Sequence, residues 1–248
     1  MITTQASRQR IAELLDTEST VVDGYLDVLG ANTPPIKGIG QAAMRVPLVS
    51  RIYEPIWRKF FRLAMGSNAV GVRREKQRAV DSLGITEGAL VLDVGCGPGL
   101  FTRAFGTAAG ESGLAIGLDA SESMLAEAAR TNATGSVGFV RGDAGRLPFA
   151  DKTFDAVACF FALHFFPDAE GALAEIARVT APGGRIAVTA LAHPELLDFP
   201  LFRRTYQLSG ARSLAHHVVP DLLTAAGCEI TGRKSSGAVQ FVTAVKTA

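Results

Sequence analysis

The sequence predicts an α/β fold: a doubly wound, mostly parallel sheet with an antiparallel C-terminal hairpin, preceded by a helical N-terminal cap. Three observations carry this. From Gly88 onward, short apolar runs alternate with amphipathic stretches of helical period. The first apolar run ends in a glycine-rich turn, Val91-Leu-Asp-Val-Gly-Cys-Gly-Pro-Gly99. The last two expected strands, Glu229–Arg233 and Val239–Val245, are separated by Lys234-Ser-Ser-Gly237, a hairpin-type link.

In chain order, strands are expected at Leu90–Val94, Leu114–Leu118, Val137–Val140, Ala156–Phe160 and Arg185–Thr189. Helices are expected at Gly99–Ala109, Ser121–Thr131 and Asp168–Thr180. Ser121 and Asp168 stand where N-caps belong, and Pro182-Gly-Gly184 punctuates the passage into the fifth strand. Leu173, Ile176 and Val179 recur at helical spacing, giving one apolar face to lay on a sheet. Repeated βαβ units demand right-handed crossovers, helices on both faces, and a ligand site at the carboxyl ends of the strands. Glu229–Arg233 and Val239–Val245 read as the terminal hairpin. Residues 1–75 read as a mainly helical cap with a Pro/Gly-rich interruption at Asn32–Gly40. Residues 76–248 then form the main domain, with an insert at about 191–217.

The 248 residues suffice for one large domain or a domain with an appendage. A hydrophobic share of 48% and a charged share of 20% describe a globular chain, and no apolar run reaches the length of a membrane span. The first twenty residues mix Arg8, Arg10, Glu13 and Asp16, unlike a secretory signal, so a cytoplasmic protein is expected. Cys96, Cys159 and Cys228 lie far apart, which suits reduced thiols and no metal site. Net charge is only +1, but Lys37–Arg78 holds ten Lys/Arg against Glu54 and Glu75. Such a basic segment suits an anionic substrate or peripheral contact with a membrane surface. No aromatic-interleaved motif points to nucleic acid.

Gly95, Gly97 and Gly99 let the backbone turn sharply and let a ligand approach the main chain at the start of the next helix. The Gly-x-Gly-x-Gly spacing differs from the Gly-x-Gly-x-x-Gly of dinucleotide binders, and Asp93 stands two residues before the first glycine. A carboxylate there repels a pyrophosphate and suits a ligand carrying ammonium and sulfonium charge. Asp119 ends the second strand, where an acid can accept both hydroxyl hydrogens of a ribose. Asp143-Ala144 follows the third strand, placed to accept from an adenine amino group. Phe160-Phe161 follows the fourth, able to flank the adenine or a reactive methyl.

The stretch from about Gly88 to Thr189 resembles the class I S-adenosylmethionine-dependent methyltransferases, a Rossmann-like family, and is closest to their ubiquinone/menaquinone-biosynthesis-like (type 11) group. Four ordered motifs carry the resemblance: Val91–Gly99, Gly117-Leu-Asp-Ala-Ser-Glu-Ser-Met124, Gly142-Asp-Ala-Gly-Arg-Leu-Pro-Phe-Ala-Asp-Lys-Thr-Phe-Asp155 and Arg178-Val-Thr-Ala-Pro-Gly-Gly184. The resemblance implies that Gly95 and Gly97 pass the methionine part of the cofactor and that Asp119 holds the ribose. By the same likeness Asp143 with Ala144 faces the adenine, and Ala120 and Met124 of the second motif join the set. It implies methyl transfer with S-adenosylhomocysteine as co-product. Such an enzyme mainly aligns a nucleophile opposite sulfur, so no obligatory catalytic residue is legible.

His164, just after the fourth strand, is a candidate base or a pocket-shaping residue. His216-His217 lacks the companions of a metal site, and Cys96 has no visible activating partner. In Tyr53–Ala64, Arg58, Lys59 and Arg62 can share one helical face, with Trp57, Phe60, Phe61 and Ala64 on another. That helix could lie on a membrane surface, close over an apolar acceptor as a lid, or simply pack on the domain. The aromatic residues there and Phe199, Phe202 and Tyr206 of the insert point to a small apolar acceptor such as a quinone, lipid or polyketide-like metabolite. The rival readings are a non-catalytic sensor or scaffold on the same fold, and a nicotinamide oxidoreductase, whose glycine pattern and Tyr/Lys or His set are missing.

Overall fold

The computed structural model describes residues 4–32, 42, 72–191, 213–236 and 239–247. They form one nine-stranded mixed sheet with helices on both faces. Helix α1 (Thr4–Ala12) and a short hairpin, β1 (Thr20–Val22) and β2 (Tyr25–Asp27), come first. Then follow α2 (Val72–Leu83), β3 (Leu90–Val94), α3 (Leu100–Ala109), β4 (Leu114–Asp119), α4 (Glu122–Asn132), β5 (Val137–Arg141) and β6 (Phe154–Cys159). A 3₁₀ turn at Leu163–Phe165 leads to α5 (Ala169–Val179), β7 (Thr180–Leu191), α6 (Val218–Ala225), β8 (Cys228–Ser236) and β9 (Val239–Lys246).

The strand order is β1-β2-β5-β4-β3-β6-β7-β9-β8. Strands β2, β5, β4, β3, β6 and β7 run parallel, and β9 pairs antiparallel with both β7 and β8. The chain winds one way from β3 through β4 to β5 and the other way from β6 to β7, so the order reverses at β3. In such sheets a crevice opens beyond the carboxyl ends of the strands at that point. The expected doubly wound sheet and terminal hairpin are both present.

Each helix buries one stripe on one face of the sheet. On one side Leu83 of α2, Phe105 and Ala109 of α3, and Leu125 and Ala128 of α4 pack on Val91, Ala115, Ala158 and Ala187. On the other, Ile11 of α1, Val219 and Leu223 of α6, and the Leu173–Ile176–Val179 face of α5 cover Leu92, Ile116, Val157 and Val188. The Ser121 hydroxyl caps α4 by accepting from the Met124 N–H (3.4 Å), and Asp168 caps α5 by accepting from the Gly171 N–H (2.9 Å). The Leu147–Asp151 loop is structural: Arg178 donates to the carbonyls of Leu147 (3.0 Å) and Phe149 (2.8 Å), and Glu175 accepts from the Leu147 N–H (2.8 Å).

Several boundaries differ from the sequence expectation. Strand β7 begins at Thr180, because Thr180 already pairs with Phe154 before a register shift. Pro182–Gly184 is therefore a kink within the strand, with Gly183 at φ 77°, and not a break before it. Strand β6 spans Phe154–Cys159 instead of Ala156–Phe160, since Phe161 takes φ 57° and turns the chain out of the sheet. Helix α6 follows the expected insert; no side chain of the described residues caps its start, and it stops at Gly227, which takes φ 76° just past the last turn. The start of the expected helical cap carries a β-hairpin that joins the main sheet, β2 lying parallel to β5. The expected lid or membrane helix Tyr53–Ala64 and the aromatic insert residues Phe199, Phe202 and Tyr206 lie outside the described residues. Among the described residues no helix is long and apolar enough to cross a membrane.

Candidate functional site

The carboxyl ends of β3, β4, β5 and β6 are adjacent, and the residues singled out in the sequence stand there together. Asp93, Gly95 and Gly97 belong to the end of β3 and Asp119 and Ala120 to the end of β4; Asp143 and Ala144 follow β5, and Phe160 follows β6. Gly95, Gly97 and Gly99 all take left-handed φ (73°, 52° and 79°), but for different surroundings. A Cβ on Gly95 would stand 2.3 Å from the Ala162 Cβ, and one on Gly99 2.6 Å from the Phe139 ring. Among the described residues nothing lies within 4 Å of a Cβ on Gly97. The middle glycine therefore faces open space while its neighbours are glycine for packing.

The turn is tied to the next strand through Asp119. One carboxylate oxygen accepts from the Gly97 N–H (2.9 Å) and the other from the Ser121 N–H (2.9 Å). A carboxylate offers roughly four acceptor positions, so these two bonds fix its orientation and are compatible with hydroxyl donors as well. The N–H groups of Gly95 and Cys96 both donate to the Leu118 carbonyl. Asp143 makes a local turn, its Oδ1 accepting from the Gly145 N–H (2.9 Å), and Ala144 beside it is buried. Met124 is buried at the first turn of α4.

Asp93 points away from solvent. It is 2% exposed and accepts from the Thr102 hydroxyl of α3 at 2.6 Å. Burial pushes its carboxyl up to about 7, helped by the Asp119 charge and opposed by the Thr102 hydrogen bond. A positive ligand over the turn favours its ionised form. Burial and the same two carboxylates raise the Cys96 thiol well above its ordinary value, so it is not poised as a nucleophile.

Phe160 is one ring of a wall beside the turn. It meets Phe101 edge-on at 5.2 Å, Phe105 at 6.2 Å and Phe241 at 6.1 Å between centroids. His164 is 2% exposed and tilted at 45° against Phe165, 4.2 Å between ring centroids, and among the described residues neither ring nitrogen has a hydrogen-bond partner. Burial lowers its imidazole to about 4, so it is neutral at physiological pH. The described residues gather no group of three metal-ligating side chains.

With this geometry the sequence comparisons agree. Residues 92–188 match the family described as a methyltransferase domain. Over those residues the chain resembles a methyltransferase domain. A demethylmenaquinone methyltransferase of Staphylococcus aureus (strain JH9) is 36% identical over 164 residues, covering 64% of this chain and 66% of that protein. The chain thus spans just under two thirds of the curated relatives it matches. Among solved structures, a SAM-dependent methyltransferase from Aquifex aeolicus superposes with TM-score 0.56 at 23% identity, covering 69% of this chain and 89% of that one. Haemonchus contortus phosphoethanolamine N-methyltransferase 2, solved with phosphomonomethylethanolamine and S-adenosylhomocysteine, gives TM-score 0.65 at 17% identity, covering 83% and 60%. These two show the shared fold.

The site also uses residues that sequence reasoning passed over. Thr102 holds Asp93, with no spacing signal to announce it. Thr189 accepts from the Phe161 N–H through its hydroxyl (2.7 Å) and so steadies a non-glycine residue in the left-handed region. Backbone held in that region costs on the order of 1–3 kcal/mol and clusters at functional sites. Arg141, which ends β5, is a third; a charged residue closing an apolar strand ordinarily reads as solvent-facing, yet it is 2% exposed.

Proposed function

We propose that this protein is an S-adenosylmethionine-dependent methyltransferase acting on a small apolar acceptor of the quinone class. The observation that carries the donor is the pairing of Gly97, open above its Cα, with the Asp119 carboxylate that orients it, at the switch point of a doubly wound sheet. The residues fit such a cofactor: Gly97 leaves room for the methionine end, Asp119 holds the ribose, and Asp143 with Ala144 faces the adenine. When bound, the sulfonium group supplies an electrophilic methyl. The chain's own residues bind, orient and exclude water. Ionised Asp93 lies behind the turn as a counter-charge, and the Phe101–Phe160–Phe241 wall offers an apolar surface beside it. Alignment of nucleophile and methyl can contribute about 7–11 kcal/mol without a dedicated base, consistent with a site whose buried histidine is neutral.

The quinone class is supported by the demethylmenaquinone methyltransferase relatives and by that aromatic wall. Calorimetry with S-adenosylhomocysteine tests the donor, and absence of saturable binding refutes it. Transfer of a radiolabelled methyl group to demethylmenaquinone, with the product identified by mass spectrometry, tests the acceptor. Labelling of a different compound in a cell extract refutes the quinone assignment while keeping the donor. Robust binding with no transfer across a broad acceptor panel favours a sensor instead.

A further inference from the structure

The Arg141 guanidinium is buried, always charged, and shared between two parts of the molecule that are far apart in sequence. Nη1 donates to Asp27 Oδ2 at 2.9 Å and to the Gly30 carbonyl at 2.9 Å, just past the N-terminal hairpin. Nη2 pairs with Glu122 Oε1 at 2.9 Å, and Nε donates to the Ala120 carbonyl at 3.4 Å. Ala120 and Glu122 flank Ser121, whose N–H is held by Asp119. One side chain therefore grips both the hairpin and the segment 119–122 at the end of β4.

The hairpin side is itself built for this. The second oxygen of Asp27 accepts from the N–H groups of Leu29 (2.8 Å) and Gly30 (3.1 Å), which curls the chain so that the Gly30 carbonyl faces Arg141. Gly30 has φ 52°, which permits that curl. The Glu122 carboxylate is 68% exposed, so its pairing is weak and Asp27, at 10%, is the dominant counter-charge. Burying an ion pair is a poor way to gain stability compared with apolar packing. What it supplies is a fixed geometry, because a buried guanidinium tolerates no arrangement that leaves it unpaired.

We infer that Arg141 is a positioning residue: held by Asp27 and Gly30, it sets the 119–122 segment in its cofactor-binding geometry and so couples the N-terminal hairpin to cofactor affinity. This rests on the reading that Asp119 holds the ribose. Coupling between two sites is reciprocal, so the cofactor must tighten the hairpin by the same factor by which the hairpin tightens the cofactor.

The test uses the full chain and S-adenosylhomocysteine. Asp27→Asn keeps the acceptor for Leu29 and Gly30 but presents an amide donor to the guanidinium. It is expected to raise the dissociation constant at least about five-fold, the low end of typical coupling, and to lower the thermal midpoint of the ligand-free protein as well, because the buried guanidinium loses its dominant counter-charge. In the wild-type protein, saturating S-adenosylhomocysteine is expected to slow amide exchange at Leu29 and Gly30 by a comparable factor. Asp119→Ala serves as the control. If Asp119→Ala weakens binding but Asp27→Asn does not, the coupling is wrong and the ribose assignment stands. If Asp119→Ala leaves affinity unchanged, the ribose assignment fails and takes the coupling with it. Should Asp27→Asn not fold, the wild-type exchange decides: unaltered protection at Leu29 and Gly30 overturns the proposal.

Discussion

Asp119 has two tasks in the structure, and removing it exposes both. Its carboxylate orients the Gly97 and Ser121 N–H groups and is the proposed partner of the ribose. Loss of a charge-assisted hydrogen bond costs about 1–3 kcal/mol, and Asp119→Ala is expected to weaken S-adenosylhomocysteine binding by that amount in calorimetry. Because the turn also loses its anchor, the upper half of that range is the expected outcome. Asp93 illustrates how far an acid's role depends on surroundings the sequence does not display. The spacing of Asp93 from the glycines was legible, and so was its suitability for a cationic ligand. Its burial against Thr102 was not, since Thr102 lies a helical turn beyond the loop and only the folding of α3 back over β3 brings the two together.

At the scale of the element, the glycine turn separates conformational need from ligand need. Gly95→Ala puts a Cβ 2.3 Å from Ala162 in a left-handed backbone, so a loss of more than about 2 kcal/mol of stability is expected in denaturant unfolding. Gly97→Ala is strained by its φ but meets no atom of the described residues, so it costs about 1 kcal/mol of stability. There the methyl group occupies the open space instead, and cofactor affinity falls far more than the fold is weakened. Equal losses of stability in the two variants would show that Gly97 is a packing glycine too. The N-terminal hairpin marks the limit of local reading. Thr20–Val22 and Tyr25–Asp27 are three-residue strands, too short for periodicity to register. They exist as strands because the edge of β5 offers a partner.

Across the whole molecule, two buried titrating groups pull stability in opposite directions with pH. His164 ordinarily titrates at 6.5 and is held near 4 by burial. The unfolded chain takes up its proton first, so stability is full above 6.5 and falls as pH drops to 4, by on the order of 3 kcal/mol. Asp93 ordinarily titrates at 3.8 and is held near 7. Its contribution is full below 3.8 and is lost as pH rises to 7, by on the order of 4 kcal/mol. Urea midpoints measured from pH 4 to 8 should show His164→Leu flattening the acid limb and Asp93→Asn removing the loss toward neutrality. A profile unchanged by His164→Leu would mean that the imidazole is not buried neutral in solution.

Much of this protein was determined by its sequence alone. The alternation of apolar strands and amphipathic helices specified a doubly wound sheet, and the order of Asp93, Gly95, Gly97, Asp119 and Asp143 placed an acid or a glycine at each successive strand end. Those features are local: period, caps and turn chemistry act within a few residues, so they can be read along the chain. Tertiary structure decided which glycine faces open space, which acid is buried, where β6 ends, and that Arg141 is enclosed instead of solvated. Each of these depends on contacts between segments distant in sequence. Arg141 and Asp27 are separated by more than a hundred residues (|i−j| = 114) and meet only because β2 lies beside β5.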